Sequence, residues 1–367
     1  MSALGRAPLP EFPWDTLAPY AELARQHPDG IVDLSVGTPV DPTPLVVQDA
    51  LRAAADAPGY PLTAGTTALR EAASKWLRRR LGVTCPPENV LPTVGSKELV
   101  ALLPSLLGLG GRVLFPELAY PTYDIGARLA GCEPVPVKTV DGLIDVDALD
   151  PDHAVLLWVN YPANPHGRCA PIDHLADIVA WGRTHGVLVA SDECYAEFGW
   201  TAPVTSALAH GAEGVLAVHS LSKRSNLAGY RAGFVAGDAS VVASLLEVRR
   251  HAGMIVPAPV QAAMTAALSD DAHVEAQWHR YFERRTLLLG ALQRAGWYVD
   301  HSEGGLYVWA SHPFHDCWKA VEHLAERGIL VAPGIFYGAA GARHVRLALT
   351  APTPLVAAAA QRLEHLP

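Results

Sequence analysis

Lys223 is set apart by its neighbours. The segment Ser220-Leu221-Ser222-Lys223-Arg224-Ser225-Asn226-Leu227-Ala228-Gly229-Tyr230-Arg231 puts hydroxyls around it and an arginine eight positions on. The chain holds only five lysines against 23 arginines. A lysine in so lysine-poor a chain suggests a task arginine cannot do. An amine can lose its proton and attack a carbonyl; a guanidinium effectively cannot. Lys97 is the one rival, but it lacks the flanking hydroxyls and the trailing arginine; Lys75, Lys138 and Lys319 sit in helical or surface contexts.

Other residues carry matching chemistry. Asp192 follows the apolar run Val187–Ser191. A carboxylate at such a strand end is partly buried and calls for a cation, although a helix cap or a structural ion pair reads equally well. Tyr195 lies three residues on and on its own reads as core. Gly95-Ser96-Lys97 follows the run Val90–Val94 and opens an apolar helix, a place where backbone N–H groups suit a phosphate or simply cap the helix. Tyr120 offers a ring face, and Asn164 sits in a turn-forming Asn-Pro run. Arg346 lies in an apolar stretch and needs an anionic partner, either a substrate carboxylate or a structural one.

Together these meet the needs of pyridoxal phosphate. That cofactor takes a lysine for its aldehyde, an acid for its ring nitrogen, donors for its phosphate and a face for its ring. Ser220, Ser222, Arg231 and Ser96 are the phosphate candidates. Neither a Walker loop nor a G-x-G-x-x-G fingerprint is present.

The elements that must position these residues are legible as pattern. Apolar runs at Val90–Val94, Arg112–Phe115, Glu133–Val137, Ala154–Val159, Val187–Ser191, Val215–His219 and Gly233–Ala236 alternate with helical stretches. The expected fold is α/β, a mostly parallel sheet with helices on both faces. Most of the runs end in polar or glycine-bearing loops, which places a site along one sheet edge. The expected organisation is an N-terminal arm over 1–43, a large domain over 44–239, and a linking helix with a smaller α+β domain over 240–367.

Composition limits the alternatives. Half of the 367 residues are hydrophobic, 18% are charged, and the net charge is −9. An acidic balance disfavours nucleic-acid and anionic-membrane surfaces. No apolar segment in residues 1–8 reads as a signal peptide, and Leu99–Leu109 is too short to span a bilayer. Five scattered cysteines without C-x-x-C lead us to expect a reduced, cytoplasmic protein without bound metal.

The order of Gly37, Tyr60, Gly95-Ser96, Tyr120, Asn164-Pro165, Asp192-x-x-Tyr195, Ser220-x-Ser222-Lys223, Arg231 and Arg346 resembles the fold-type I, class I/II aminotransferases over nearly the whole chain. His166 departs from the threonine usual after Asn-Pro. The resemblance implies the pyridoxal-phosphate transferase fold and these roles. Lys223 binds the cofactor and carries the proton. Asp192 pairs with the ring nitrogen, Asn164 and Tyr195 bond the ring oxygen, and Tyr120 stacks on the ring. Ser96, the Lys97 backbone, Ser220, Ser222 and Arg231 hold the phosphate. Arg346 and the Gly37 backbone hold the substrate α-carboxylate. Tyr60 reaches the neighbouring subunit of a homodimer. The substrates implied are an amino acid and a 2-oxo acid.

Further segments narrow the likeness. Leu9–Asp15, Leu34–Pro42, Pro116–Tyr123 and His251–Met254 resemble the actinobacterial N-succinyldiaminopimelate aminotransferases of lysine and diaminopimelate synthesis. Both amino-group partners of that reaction carry a distal carboxylate, so Arg249 and Arg250 are candidates to read it. Another aminotransferase or a cysteine-conjugate β-lyase is the alternative on the same scaffold. A non-catalytic sensor module and a nicotinamide-dependent dehydrogenase fit less well.

Overall fold

The computed structural model describes residues 9–364; the N-terminal octapeptide read above lies outside them. Seven strands form the main sheet: β1 (Val90–Val94), β2 (Arg112–Pro116), β3 (Glu133–Val137), β4 (Ala154–Val159), β5 (Leu188–Asp192), β6 (Val215–Ser220) and β7 (Ala232–Gly237). Their spatial order is β1-β7-β6-β5-β4-β2-β3. All run in one direction except β7, which is antiparallel to both of its neighbours.

The central strands β5 and β6 are buried almost throughout, because helices cover both faces. Continuous apolar runs are what such a sheet requires. One face packs Trp76, Leu77, Phe234 and Met264; the other packs Leu103, Tyr123, Trp158 and Val218. Burial at ~25 cal/mol per Å² of apolar surface makes these layers the main stabilising contribution.

A four-stranded antiparallel sheet (Tyr298–Val299, Tyr307–Ser311, Ala332–Pro333, His344–Ala348) builds the smaller unit. Its first long strand begins at Tyr307. Gly305 holds φ +76°, a left-handed backbone that breaks the strand geometry. The N-terminal segment returns to this unit, with Val32–Asp33 pairing in parallel with Ile329–Leu330.

Beyond residue 239 the chain packs two further helices against the main sheet. Helix Ala239–Ala252 buries Val242 and Leu245 in one sheet core, and helix Ala258–Ser269 buries Val260, Ala263 and Met264 in the other. Past these two helices the chain enters the smaller core with helix Ala272–Arg294, through Tyr281, Leu288 and Leu292. No helix among the described residues is long and apolar enough to cross a membrane.

Candidate active site

The carboxyl ends of β1, β2, β4, β5 and β6 lie at one sheet edge, facing the strand Tyr307–Ser311 and Arg346 of the smaller unit. Between them is a cavity of about 1260 Å³. Gly37, Ser96, Lys97, Tyr120, Asn164, Asp192, Tyr195, Ser220, Ser222, Lys223, Arg231 and Arg346 all line it. Residues scattered over 310 positions of sequence thus meet in one space. Tyr60 is outside the lining and fully exposed at 100%.

Lys223 sits in the one-turn helix Leu221–Arg224, immediately after β6. Ser220 caps that turn, its Oγ accepting from the Ser222 N–H at 3.1 Å. The Lys223 ammonium donates to the Gly37 carbonyl. Burial lowers its pKa from the ordinary value near 10.5, and the Arg346 and Arg231 charges act in the same direction. An amine so placed gives up its proton more readily than a surface lysine.

Asp192 ends β5 and is buried. Its Oδ2 accepts from the Tyr123 hydroxyl at 2.9 Å and its Oδ1 from the Cys194 N–H at 3.2 Å. Asn160 fixes the backbone there by donating to the Asp192 carbonyl at 2.7 Å, and its own Oδ1 accepts from the Asn164 N–H at 2.8 Å. Burial raises the Asp192 carboxyl above its ordinary value despite these donors. A cation facing the cavity would reverse that shift.

The cradle beside them is built from tight backbone. Gly95 begins helix Gly95–Leu106 with φ +72°, and a Cβ there would lie 2.5 Å from Arg231 Nη2. Arg231 itself holds φ +53°, unusual for a residue with a side chain. It donates to the Ala228 carbonyl at 2.8 Å, and among the described residues no carboxylate pairs with it. The start of the helix, Ser96, Ser220, Ser222 and Arg231 therefore bring together donors and positive charge suited to an anion.

Arg346 is 3% exposed. It donates to Asn164 Oδ1 at 3.0 Å and the Ser35 carbonyl at 2.9 Å, while its Nε has no partner. The guanidinium lies 3.8 Å from the Tyr307 ring centroid and 4.7 Å from that of Tyr337. Among the described residues no carboxylate neutralises it.

Sequence reasoning missed Tyr307, Tyr123 and Asn160. The Tyr307 hydroxyl is 3.1 Å from that of Tyr195. Burial acts to raise the Tyr307 phenol, but the charges of Arg346 and Lys223 outweigh it and bring it below its ordinary value. Tyr307 sits on an apolar strand and Tyr123 on an amphipathic helix, so both read as core. Only Asn160, in the same turn run as Asn164, carried a usable signal.

Arg249 and Arg250 need correcting as readers of a distal carboxylate. Neither lines the cavity. Arg249 is 0% exposed and pairs with Glu98 at 2.8 Å, which ties helix Ala239–Ala252 to helix Gly95–Leu106; Arg250 is exposed. Successive helix residues point about 100° apart, so adjacent arginines part to core and solvent.

The lining suits pyridoxal phosphate on three observations. A buried carboxylate lacks a cation, an arginine-and-serine cradle lacks an anion, and a lysine of lowered pKa lines the same cavity.

The comparisons agree. Residues 29–363 match the family described as aminotransferase class I and II. The chain is 57% identical to the 4-dedimethylamino-4-oxo-anhydrotetracycline transaminase OxyQ of Streptomyces rimosus, covering 97% of this chain and 99% of that one. It is 57% identical to the probable aminotransferase Rv1178 of Mycobacterium tuberculosis, covering 99% and 89%. A solved structure, the probable N-succinyldiaminopimelate aminotransferase of Thermus thermophilus, superposes with TM-score 0.88 at 31% identity, covering 96% of this chain and 99% of that one. The chain belongs to the class I and II aminotransferases, which use pyridoxal phosphate to exchange amino groups between amino acids and 2-oxo acids.

Proposed function

We propose that this aminotransferase acts on N-succinyl-LL-2,6-diaminopimelate and 2-oxoglutarate, in the synthesis of lysine and diaminopimelate. The observation that carries the amino-acid chemistry is Arg346. A buried guanidinium without a carboxylate, opening on the same cavity as Lys223, is made for a substrate carboxylate. The sequence segments noted above and the likeness to the Thermus protein support the succinylated substrate.

When bound, the cofactor supplies an electron sink that makes the substrate Cα–H acidic. Asp192 would face the ring nitrogen and favour its protonated form. Asn164 and Tyr195 would bond the ring oxygen, and Tyr120 would cover the ring. Ser96, the Lys97 backbone, Ser220, Ser222 and Arg231 would hold the phosphate. Arg346, with the Gly37 backbone, would orient the α-carboxylate so that the Cα–H bond faces Lys223. The Lys223 amine would be the base that takes the Cα proton and the acid that gives a proton back. Two half-reactions on one site make the kinetics ping-pong. The exposed Tyr60, with Leu62 two residues on 65% exposed, supports a homodimer in which Tyr60 reaches the partner's phosphate.

A second reading is a transaminase of a polycyclic ketone. It is favoured by the likeness to OxyQ and by Phe12, Trp14 and Phe336 on the cavity wall. The test is a single-turnover spectral screen of the yellow holoenzyme. Glutamate and N-succinyl-LL-diaminopimelate are expected to convert it to the colourless pyridoxamine form. If glutamate works and the succinyl compound fails, the substrate assignment falls and the second reading is taken up with the anhydrotetracycline ketone.

A further inference from the structure

Directly behind Asp192 lies a second pair of titratable groups that the reaction as described leaves unused. Glu193 is 2% exposed and His219 is also 2% exposed. They follow Asp192 and precede Ser220, on adjacent parallel strands. The register Asp192↔Val218 and the bond from the Glu193 N–H to the Val218 carbonyl at 2.9 Å bring them side by side. Neither lines the cavity.

The pair is under-bonded. Glu193 Oε1 accepts from Ser206 Oγ at 3.0 Å and the Ala207 N–H at 2.9 Å. Its Oε2 has no partner, and neither has either ring nitrogen of His219. Glu193 Oε2 and His219 Nε2 are 3.6 Å apart. A buried acceptor and a buried imidazole nitrogen left without partners are costly, at roughly 1–3 kcal/mol for each unsatisfied group. One proton on Oε2 satisfies both atoms after an approach of roughly half an ångström.

The surroundings decide where the charge sits. Around Glu193 are Ser191, Ser206, the Ala207 N–H, His219 and the like charge of Asp192. Around His219 are Trp76, Phe234 and the cation Arg224, which is itself paired with Glu197. Burial pushes the Glu193 carboxyl up to about 7, against the pull of its donors, with Asp192 adding to the rise. Burial brings His219 down to about 3, and Arg224 acts in the same direction. Both shifts favour the uncharged forms over an ion pair.

We propose that Glu193 and His219 share a single proton as an uncharged pair, so that Asp192 is the one carboxylate charge behind the cofactor ring. Glu193 is then a positioning residue that acts through Asp192. Loss of its proton sets a second negative charge beside Asp192 and strengthens the pull on the ring-nitrogen proton. That consequence rests on the role proposed for Asp192; the shared proton itself does not.

Infrared spectroscopy of the full-length holoenzyme tests it. At pH 6 the wild type is expected to show the C=O band of a protonated, hydrogen-bonded carboxyl group. Glu193→Gln should lack it, Asp192→Asn should keep it, and His219→Phe, which preserves the aromatic packing, should shift it to higher frequency. Survival of the band in Glu193→Gln, or its absence from the wild type, overturns the proposal. A band that is lost in Asp192→Asn and kept in Glu193→Gln overturns it too, and marks Asp192 as the protonated group.

A stability series gives an independent readout. The Glu193 carboxyl is raised in the folded state, so its contribution is full below the ordinary value near 4.5 and is lost as pH rises through about 7. The melting temperature of Glu193→Gln should therefore gain on the wild type between pH 5 and 8. A difference that does not change with pH marks a purely structural residue and overturns the proposal.

Discussion

The guanidinium of Arg346 rests 3.8 Å from the ring centroid of Tyr307, and no carboxylate of the described residues meets it. Stacking on an aromatic face holds an arginine in place without cancelling its charge. The charge stays free for an incoming carboxylate, while the Tyr337 ring at 4.7 Å and the Ser35 carbonyl restrain rotation. Arg346→Lys keeps the charge and loses the planar fork. Two charge-assisted hydrogen bonds at roughly 1.5 kcal/mol each correspond to about a hundredfold rise in KM for every amino donor. Steady-state kinetics with glutamate checks this, and an unchanged KM would remove Arg346 from the substrate site.

Lys223→Ala should abolish both the visible band of the lysine-bound cofactor and transamination, whereas Lys97→Ala should retain the band. The two lysines line the same cavity, yet Lys97 is exposed and Lys223 is drawn in against the Gly37 carbonyl. Absorption spectra of the two reconstituted variants settle which amine holds the aldehyde.

The same burial predicts a pH signature in the cofactor-free protein. The Lys223 pKa is lower in the folded chain than its ordinary value near 10.5. Between those two values the unfolded chain binds more protons, so stability rises with pH across that window. Lys223→Met removes the buried amine. Its melting temperature should exceed that of the wild-type apoprotein at neutral pH, with the gap narrowing as pH approaches 10.5. A gap constant with pH would mean that the folded-state amine titrates as a solvated one.

Much of the site was legible because its chemistry conflicts with its surroundings. Lys223 stands out in a chain that otherwise uses arginine, and Asp192 ends an apolar strand where a carboxylate is out of place. Tyr123 and Tyr307 escaped notice because a tyrosine in an apolar pattern satisfies the requirements of a core position; its hydroxyl matters only through what faces it. Glu193 and His219 are separated by 26 positions, and only the β5–β6 register sets them face to face. The strands of the main sheet were legible as apolar runs. The packing of helices Ala239–Ala252 and Ala258–Ser269 was not, since their apolar stripes fit either unit equally well.

Gly95 is the backbone position on which the anion cradle depends. Gly95→Ala forces a side chain into φ +72° and to 2.5 Å from Arg231 Nη2. The left-handed backbone alone costs about 1–2 kcal/mol. The greater effect is that Arg231 is displaced from the helix start, where the phosphate is expected. Cofactor affinity should fall at least tenfold, measured by titration of the apoprotein, with far-ultraviolet circular dichroism unchanged. Equal affinity would show that the phosphate sits elsewhere.

Arg249 separates a structural from a specificity role. Its guanidinium is fully buried against Glu98, and a buried pair that loses one partner is destabilised by about 3–5 kcal/mol because the remaining charge has no counterion. Arg249→Met should lower the denaturation midpoint by a corresponding amount. Below denaturing conditions it should leave the ratio of kcat/KM between a distal-carboxylate donor and a neutral donor unchanged. Glu98→Gln and Arg249→Met combined should recover part of the loss, since the double variant buries no lone charge. A changed donor ratio with undiminished stability would return Arg249 to the substrate site, against its position outside the cavity lining.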